Sequence, residues 1–396
     1  MSVNQRSAVD IIGNRIVNCM KPLLYVEYCF GIFRYRLDER SSEVINLRMK
    51  IICVAIASAW IAIFCCSMPF INVTFNNMVA LADYWMSYLI VITYACSVLM
   101  LVLWQSQDNR KVIEIFAVID ISLHANIDQK VYNLLSRQCK ILFTAHITFC
   151  IICIVIYSYF CMYDNKIAYL FFSLIYFERK IEICVFCLFL YMLKQRILLI
   201  NNYLSKFSGD QDNVLLRQGK VKRLEIDFIG KISNTNNKVR DLASVYCKIG
   251  KVCLLINKIY NSLIFMTIVT TFIFIIVLSW SILYSYKVND DDLIFSLSMS
   301  FYVFSDLFSI MFISYYSESI SLVNDKLKNM LNRILTHNDL PIFMMRQVNV
   351  FVKLIRVWDL KINVFDMIDV NIILVLKFIS MCTSYLIVLI QINRLI

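Results

Sequence analysis

Proline and glycine are nearly missing, with 3 and 6 residues in a chain of 396. That excludes a collagen-like, proline-rich or loop-rich architecture. Charge is thin too, at 17% of residues, where a soluble domain carries about 25%. Histidine occurs three times, at His124, His146 and His337. No G-x-S-x-G, H-E-x-x-H or glycine-rich phosphate loop is present. No catalytic group, metal site or cofactor is therefore expected, and nothing points to a nucleic-acid partner. The first fifty residues lack an early apolar core and a small-residue cleavage site, so the first spanning helix is expected to be the insertion signal.

What the chain has is apolar surface: 60% hydrophobic residues, 14% aromatic, and a mean hydropathy of +0.68. A water-facing shell of this size cannot hide so much. The composition predicts an all-α, polytopic membrane protein with lipid as its main neighbour. The 15 cysteines fit, because Cys53, Cys65, Cys66, Cys96, Cys150, Cys153, Cys184 and Cys187 sit in apolar runs, where cysteine packs as a small hydrophobe.

A bilayer core of ~30 Å takes about 20 apolar helical residues to cross. Six stretches qualify directly: Ile51–Phe70, Tyr84–Trp104, Ile141–Phe160, Leu263–Ser285, Leu293–Tyr315 and Ile372–Ile392. Between the third and fourth of these, a span over Ala168–Leu193 would place Glu178, Arg179, Lys180 and Glu182 at the bilayer centre, at ~2.5–3.5 kcal/mol per charge. A start near Ile181, running to Leu204, moves the cluster to the interface and makes residues 161–180 an outer loop with a helical insert. Seven spans follow either way. The expected organisation is a cytoplasmic segment 1–50, helices one to four over 51–204, a cytoplasmic helical loop 205–262, helices five and six over 263–315, cytoplasmic anchor helices 316–371, and a seventh helix with a short outer tail, 372–396.

Basic residues set the orientation. Alternate connecting segments hold 33 and 5 Lys+Arg, which predicts a cytoplasmic N-terminus and an extracellular C-terminus. Without the long fourth loop the ratio is still 20 to 5. The single N-x-S/T sequon, at Asn72, falls on the outer side as a glycosylation candidate. G-protein-coupled receptors have the opposite orientation, and their Asp-Arg-Tyr and Asn-Pro-x-x-Tyr motifs are missing. A secondary transporter would show repeats and Gly/Pro-broken helices. These two remain the alternatives.

In the fourth loop, Val221, Leu224, Phe228, Ile232, Val239, Leu242, Tyr246, Ile249 and Cys253 mark one face of a helix running into the fifth span. The sixth span continues inward through Val323, Leu327, Met330, Leu331, Ile334 and Leu335, then breaks at His337–Pro341. A new helix follows, with Asp339 as cap and Met345, Val348, Val352 and Ile355 on one stripe. Such stripes have no lipid to face, so they are expected to form a bundle below the membrane that holds an oligomer.

The last span reads Thr383-Ser384-Tyr385-Leu386-Ile387-Val388-Leu389-Ile390-Gln391-Ile392. This resembles the C-terminal signature of insect gustatory receptors, relatives of the insect odorant receptors: Thr-Tyr, five hydrophobic residues, Gln-Phe. Tyr385 and Gln391 match, Ser384 stands for the Thr and Ile392 for the Phe. Lys194–Leu204 is similar to the family's basic stretch followed by Asn-x-x-Leu. The resemblance implies a ligand-gated, non-selective cation channel in the plasma membrane of a sensory dendrite, a homotetramer or a heteromer with related receptors. In such a channel the seventh helices line one pore, and a small tastant binds in the outer half of each subunit. Gln391 would line the pore, Ile392 would hold the gate position, and Val388 and Leu389 are further apolar constriction candidates. Read from the residues alone, without the resemblance, an interfacial amide bonded to a neighbouring helix is the favoured reading of Gln391. Sugar-sensing members carry Glu after the motif's Tyr, where Leu386 stands here. That favours bitter plant compounds.

Ligand-binding candidates cluster toward the outer ends of the spans: Trp85, Tyr88, Trp280, Tyr284, Tyr302 and Asp306, with Glu178 and Glu182 at the expected mouth of the fourth helix. An interfacial aromatic belt accounts for the aromatic ones as well. Asp306, about thirteen residues into its span, bonds either a ligand or a neighbouring Ser or Tyr.

Overall fold

A computed structural model describes residues 3–35, 46–67, 78–124, 129–160, 166–205, 236–288, 293–336 and 341–395. Ten α-helices are found among them. They are α1 (Val3–Cys29), α2 (Leu47–Ser67), α3 (Met78–Met100), α4 (Ser106–Ser122), α5 (Gln129–Phe160), α6 (Lys166–Ser205), α7 (Lys238–Val288), α8 (Leu293–Thr336), α9 (Ile342–Val357) and α10 (Ile372–Leu395). A π-helical turn, Leu101–Gln105, joins α3 to α4. A two-stranded antiparallel hairpin, β1 (Asn363–Val364) and β2 (Ile368–Asp369), leads from α9 to α10. Asn72 and Asp339 lie outside the described residues, as do Val221, Leu224, Phe228 and Ile232 of the predicted stripe before Val239.

At 1.5 Å per residue, the 51 residues of α7 reach about 75 Å, more than twice a bilayer core. The fifth span and its inward extension are thus one helix, and α8 likewise carries the sixth span through to Thr336. On α9 the buried stripe is Met344, Gln347, Val348, Phe351, Val352 and Ile355, so Met344 rather than Met345 faces inward. Pro341 precedes the helix as its N-cap. Over their described residues, four helices are long and apolar enough to cross a bilayer: α2, α6, α7 and α10. The α3–α4 pair, bent by 69°, would make a fifth. The third and sixth predicted spans fall within α5 and α8.

Helix α6 is the axis of the molecule. Every residue from Ile181 to Leu190 is buried, and a helix apolar all round belongs inside a bundle. It packs against α5, α7 and α8, and α1 lies across α4, α5 and α6. Burial of Ile12, Ile16, Met20, Leu23 and Leu24, spaced by three and four, seats α1 there. The expected outer loop at 161–180 is not formed from Lys166 onward: α6 runs unbroken through the charged cluster to Ser205. In lipid each ionised side chain would carry the full insertion cost, whereas here Glu178, Arg179, Lys180 and Glu182 are each buried in protein.

One internal clamp shows how. Arg196 on α6 is fully buried and grips Asp120 of α4 through Nε at 3.0 Å and Nη2 at 2.7 Å. The Tyr132 hydroxyl of α5 donates to the same carboxylate at 2.9 Å. The guanidinium also lies 4.8 Å from the Phe116 ring. Three helices meet on one bidentate ion pair.

Two glycines are required by space. Gly31 has φ +78°, and a Cβ there would sit 2.8 Å from the Cys53 carbonyl oxygen. At Gly250 a Cβ would meet the Trp358 indole at 2.5 Å. We expect Asp120→Ala, which strands the Arg196 charge, to destabilise the fold by about 3–5 kcal/mol. Gly31→Ala should cost about 2 kcal/mol or more through its left-handed backbone and the clash. Thermal melting of purified receptor, with Arg196→Lys for comparison, checks both; an unchanged midpoint in Asp120→Ala would contradict the clamp.

Candidate functional site

Two-thirds of the way from the α6 C-terminus to its N-terminus, charged side chains turn into the bundle. Asp306 of α8 is fully buried. It accepts from Arg179 Nη2 at 2.9 and 3.0 Å, from the Tyr176 hydroxyl at 2.7 Å and from Lys180. Arg179 continues to the Thr270 hydroxyl of α7 at 2.7 Å, and Lys180 to Ser309 of α8 at 2.8 Å. The Tyr302 and Ser173 hydroxyls are 2.9 Å apart, and the Tyr176 and Tyr302 rings meet edge to face at 5.0 Å.

A second arm enters from the chain's N-terminal region. Arg34, just beyond the Gly31 turn, bonds Glu27 of α1 through Nε at 3.0 Å and Glu182 of α6 through Nη2. It also lies 5.2 Å from the Tyr260 ring. A residue expected in a cytoplasmic segment is therefore wedged into the bundle at 3% exposure. Arg179 stands in the wall of a cavity between α3, α6 and α7, lined by Thr93, Tyr94, Ser97, Glu178, Glu182 and Ser262 among others. At about 20 Å³, it has room for one water-sized occupant.

The sequence-derived candidates divide accordingly. Tyr302 and Asp306 meet through Tyr176, and Glu178 and Glu182 line the cavity. The two glutamates are not at an outer mouth: they are 1% and 4% exposed. Asp306 is engaged by two cations and a phenol of its own chain, leaving it little capacity for a ligand. Trp85 is 65% exposed. Tyr88 packs edge-on against Phe64 at 5.6 Å, and Trp280 is half-buried. These three do not join the cluster. The side chains of Tyr284 and Ile392 lie outside the described residues.

Sequence reasoning did not find Glu27, Arg34, Thr270 or Ser309. Arg34, Thr270 and Ser309 meet α6 partners 91 to 148 residues away in the chain, beyond the reach of any local pattern. One weak signal existed: a Glu and an Arg seven residues apart around a glycine turn.

The other element of interest is α10. Its buried side chains against α7 and α8 are Leu374, Phe378 and Cys382, with Val375 packed beside them. Ile372, Ile373, Leu376, Ile379, Met381, Leu386, Ile387 and Val388 are exposed. Tyr385 packs edge-on against Phe272 at 5.2 Å and stays half exposed. The Ser384 hydroxyl donates to the Ser380 carbonyl at 3.0 Å, Leu389 is half-buried and Gln391 is exposed. The hairpin before α10 is held to α7 by asparagines: Phe365 N donates to Asn261 Oδ1 at 2.8 Å, and Asn257 Nδ2 to Asn363 Oδ1 at 2.5 Å.

Long helices extending past their apolar spans, a buried ionic centre and a lightly attached terminal helix are those of a polytopic helical membrane protein. The chain matches the family described as 7tm chemosensory receptors over residues 20–393, and it belongs to that family. It is a receptor, not an enzyme. Among solved structures it is similar to the insect olfactory receptor OR5 of Machilis hrabei, with a TM-score of 0.65 at 10% identity, covering 96% of this chain and 98% of that one. The same receptor in complex with eugenol matches with a TM-score of 0.62, at the same identity and coverage. At such identity the likeness is one of fold. No curated protein matches the chain significantly.

Asp306→Ala should leave Arg179 and Lys180 buried without a counter-ion, at a cost of about 3–5 kcal/mol. The expected result is loss of surface expression, not a shifted dose response with normal expression. Surface biotinylation beside a melting curve decides between them.

Proposed function

We propose that the chain is a gustatory receptor subunit: a ligand-gated, non-selective cation channel of the plasma membrane, opened by a small tastant. Its N-terminus is cytoplasmic and its C-terminus extracellular, as the 33-to-5 split of basic residues favours. Four subunits, identical or related, set their last helices around one pore. The carrying observation is α10, whose faces are bare along almost its whole length although it ends in an exposed amide. Lipid satisfies the apolar faces but not Gln391, which needs protein or water. Convergence on an axis gives each surface a fitting neighbour, with Gln391 in a polar ring and Val388, Leu389 and Ile392 as constrictions.

The eugenol complex of the similar olfactory receptor supports a small organic ligand here too. The Ser384–Tyr385…Gln391 signature favours taste over smell, and Leu386 after Tyr385 favours a bitter plant compound over a sugar. The ligand is bound on the outer side of the ionic cluster, where Phe172, Tyr176 and Tyr302 form an aromatic wall, with Tyr88, Trp85, Trp280 and Tyr284 toward the entrance. Asp306 then serves as the floor of the pocket. Because the similar olfactory receptor is seen with eugenol, the ligand panel includes volatile phenols.

Expressed alone under voltage clamp, the receptor should pass cation current within milliseconds of agonist, with G-protein signalling blocked. Gln391→Ala should alter conductance or leak at unchanged surface density. A tag after Ile396 should be reached by antibody on intact cells. Labelling only after permeabilisation would overturn the topology and with it the pore.

A further inference from the structure

No direct ion pair joins the two arms of the ionic cluster among the described residues. Arg179 spends Nη1 on Thr270 and Nη2 on Asp306, and its Nε is buried with no hydrogen-bond partner there. Glu182 accepts from Arg34 through Oε1, while its Oε2 is buried without a partner. One turn earlier on α6, Oε1 of Glu178 is in the same position. All three residues are less than 5% exposed. A buried polar atom left unpaired is costly, and native bundles seldom carry three together.

The three side chains stand in the wall of one cavity, the one between α3, α6 and α7. Much of the remaining wall is apolar, from Ile90, Ile175, Leu263 and Met266. A volume of about 20 Å³ admits one water molecule and nothing organic. A buried water makes about three hydrogen bonds to groups that would otherwise go unsatisfied. One N–H donor and two carboxyl oxygens match a water's lone pair and its two hydrogens. A guanidinium N–H and a thioether in the same wall do not suit a hard metal ion.

We propose that this cavity is the site of one ordered water molecule, which accepts from Arg179 Nε and donates to Glu178 Oε1 and Glu182 Oε2. The bond to Glu178 needs no charge on that residue, because the carbonyl oxygen of a carboxylic acid also accepts. The water joins the two arms into one network, from Asp306 and Arg179 through Glu182 to Arg34 and Glu27. Helices α8, α6 and α1 are thereby linked through a single molecule. The site depends on neither the pore nor the tastant pocket.

Full-length receptor is imaged by electron cryomicroscopy at a resolution that shows ordered water. The expected map has one peak in the cavity, at about 2.7–3.2 Å from Arg179 Nε, Glu178 Oε1 and Glu182 Oε2. No peak beside well-resolved side chains overturns the proposal, and so does direct contact between Arg179 and Glu182. Contacts of about 2.4 Å to both glutamates mark a metal ion and overturn it too. Glu178→Gln keeps an acceptor oxygen and should keep the peak. Glu178→Leu removes that acceptor and should lose the peak; an undiminished peak in this variant overturns the three-point site. If Glu178→Leu does not fold, the wild-type map decides alone.

Discussion

Ionised side chains inside an apolar helix bundle persist only where the chain supplies their counter-charges, and the packing of α6 is organised around that requirement. Asp306 comes from α8, Arg179 and Lys180 from α6, Thr270 from α7. Arg34 arrives from a turn after α1 to meet Glu182. Lower down, Arg196 and Asp120 do the same for α4 and α6, with Tyr132 from α5. Such pairs are weak sources of net stability, since desolvation offsets much of their attraction, but losing one partner is severe. Their effect is to fix register: α6 cannot slide or rotate against α8 without separating a buried carboxylate from two cations.

This rigid centre contrasts with the periphery. The terminal helix α10 holds to its own chain through a narrow seam of Leu374, Phe378 and Cys382. The hairpin before it is tied to α7 through Asn257 and Asn261, with Phe365 and Asp366 in left-handed conformations at its tip. The base of α10 is thereby coupled to α7 by side-chain hydrogen bonds. In the proposed channel such a division would let the terminal helix shift while the ionic core keeps its geometry.

The helical end near α9 follows from the same long helices. α7 and α8 extend past their apolar spans without a break, and α9 packs its Met344, Val348, Phe351 and Ile355 stripe against them. Trp358 lies against Gly250, and the Tyr246 hydroxyl ties Asn324 to the Trp358 carbonyl at 2.7 and 3.1 Å. Three elements are thus locked together directly beneath the hairpin that carries α10.

The apolar runs, the continuation of the fifth and sixth spans into long helices and the α9 stripe were legible from residues alone. Each rests on composition and on a period of three to four, which are local properties of a helix. The Ser384, Tyr385 and Gln391 pattern was legible as a resemblance to a family signature and not through any helical period. The helix in the first thirty residues could have been read from Ile12, Ile16, Met20 and Leu23, but charge around them masked it. The course of α6 through Glu178–Glu182, and the ionic centre itself, were decided only by tertiary structure. The free energy of a buried charge depends on what stands beside it, and here the neighbours come from segments up to 148 residues distant.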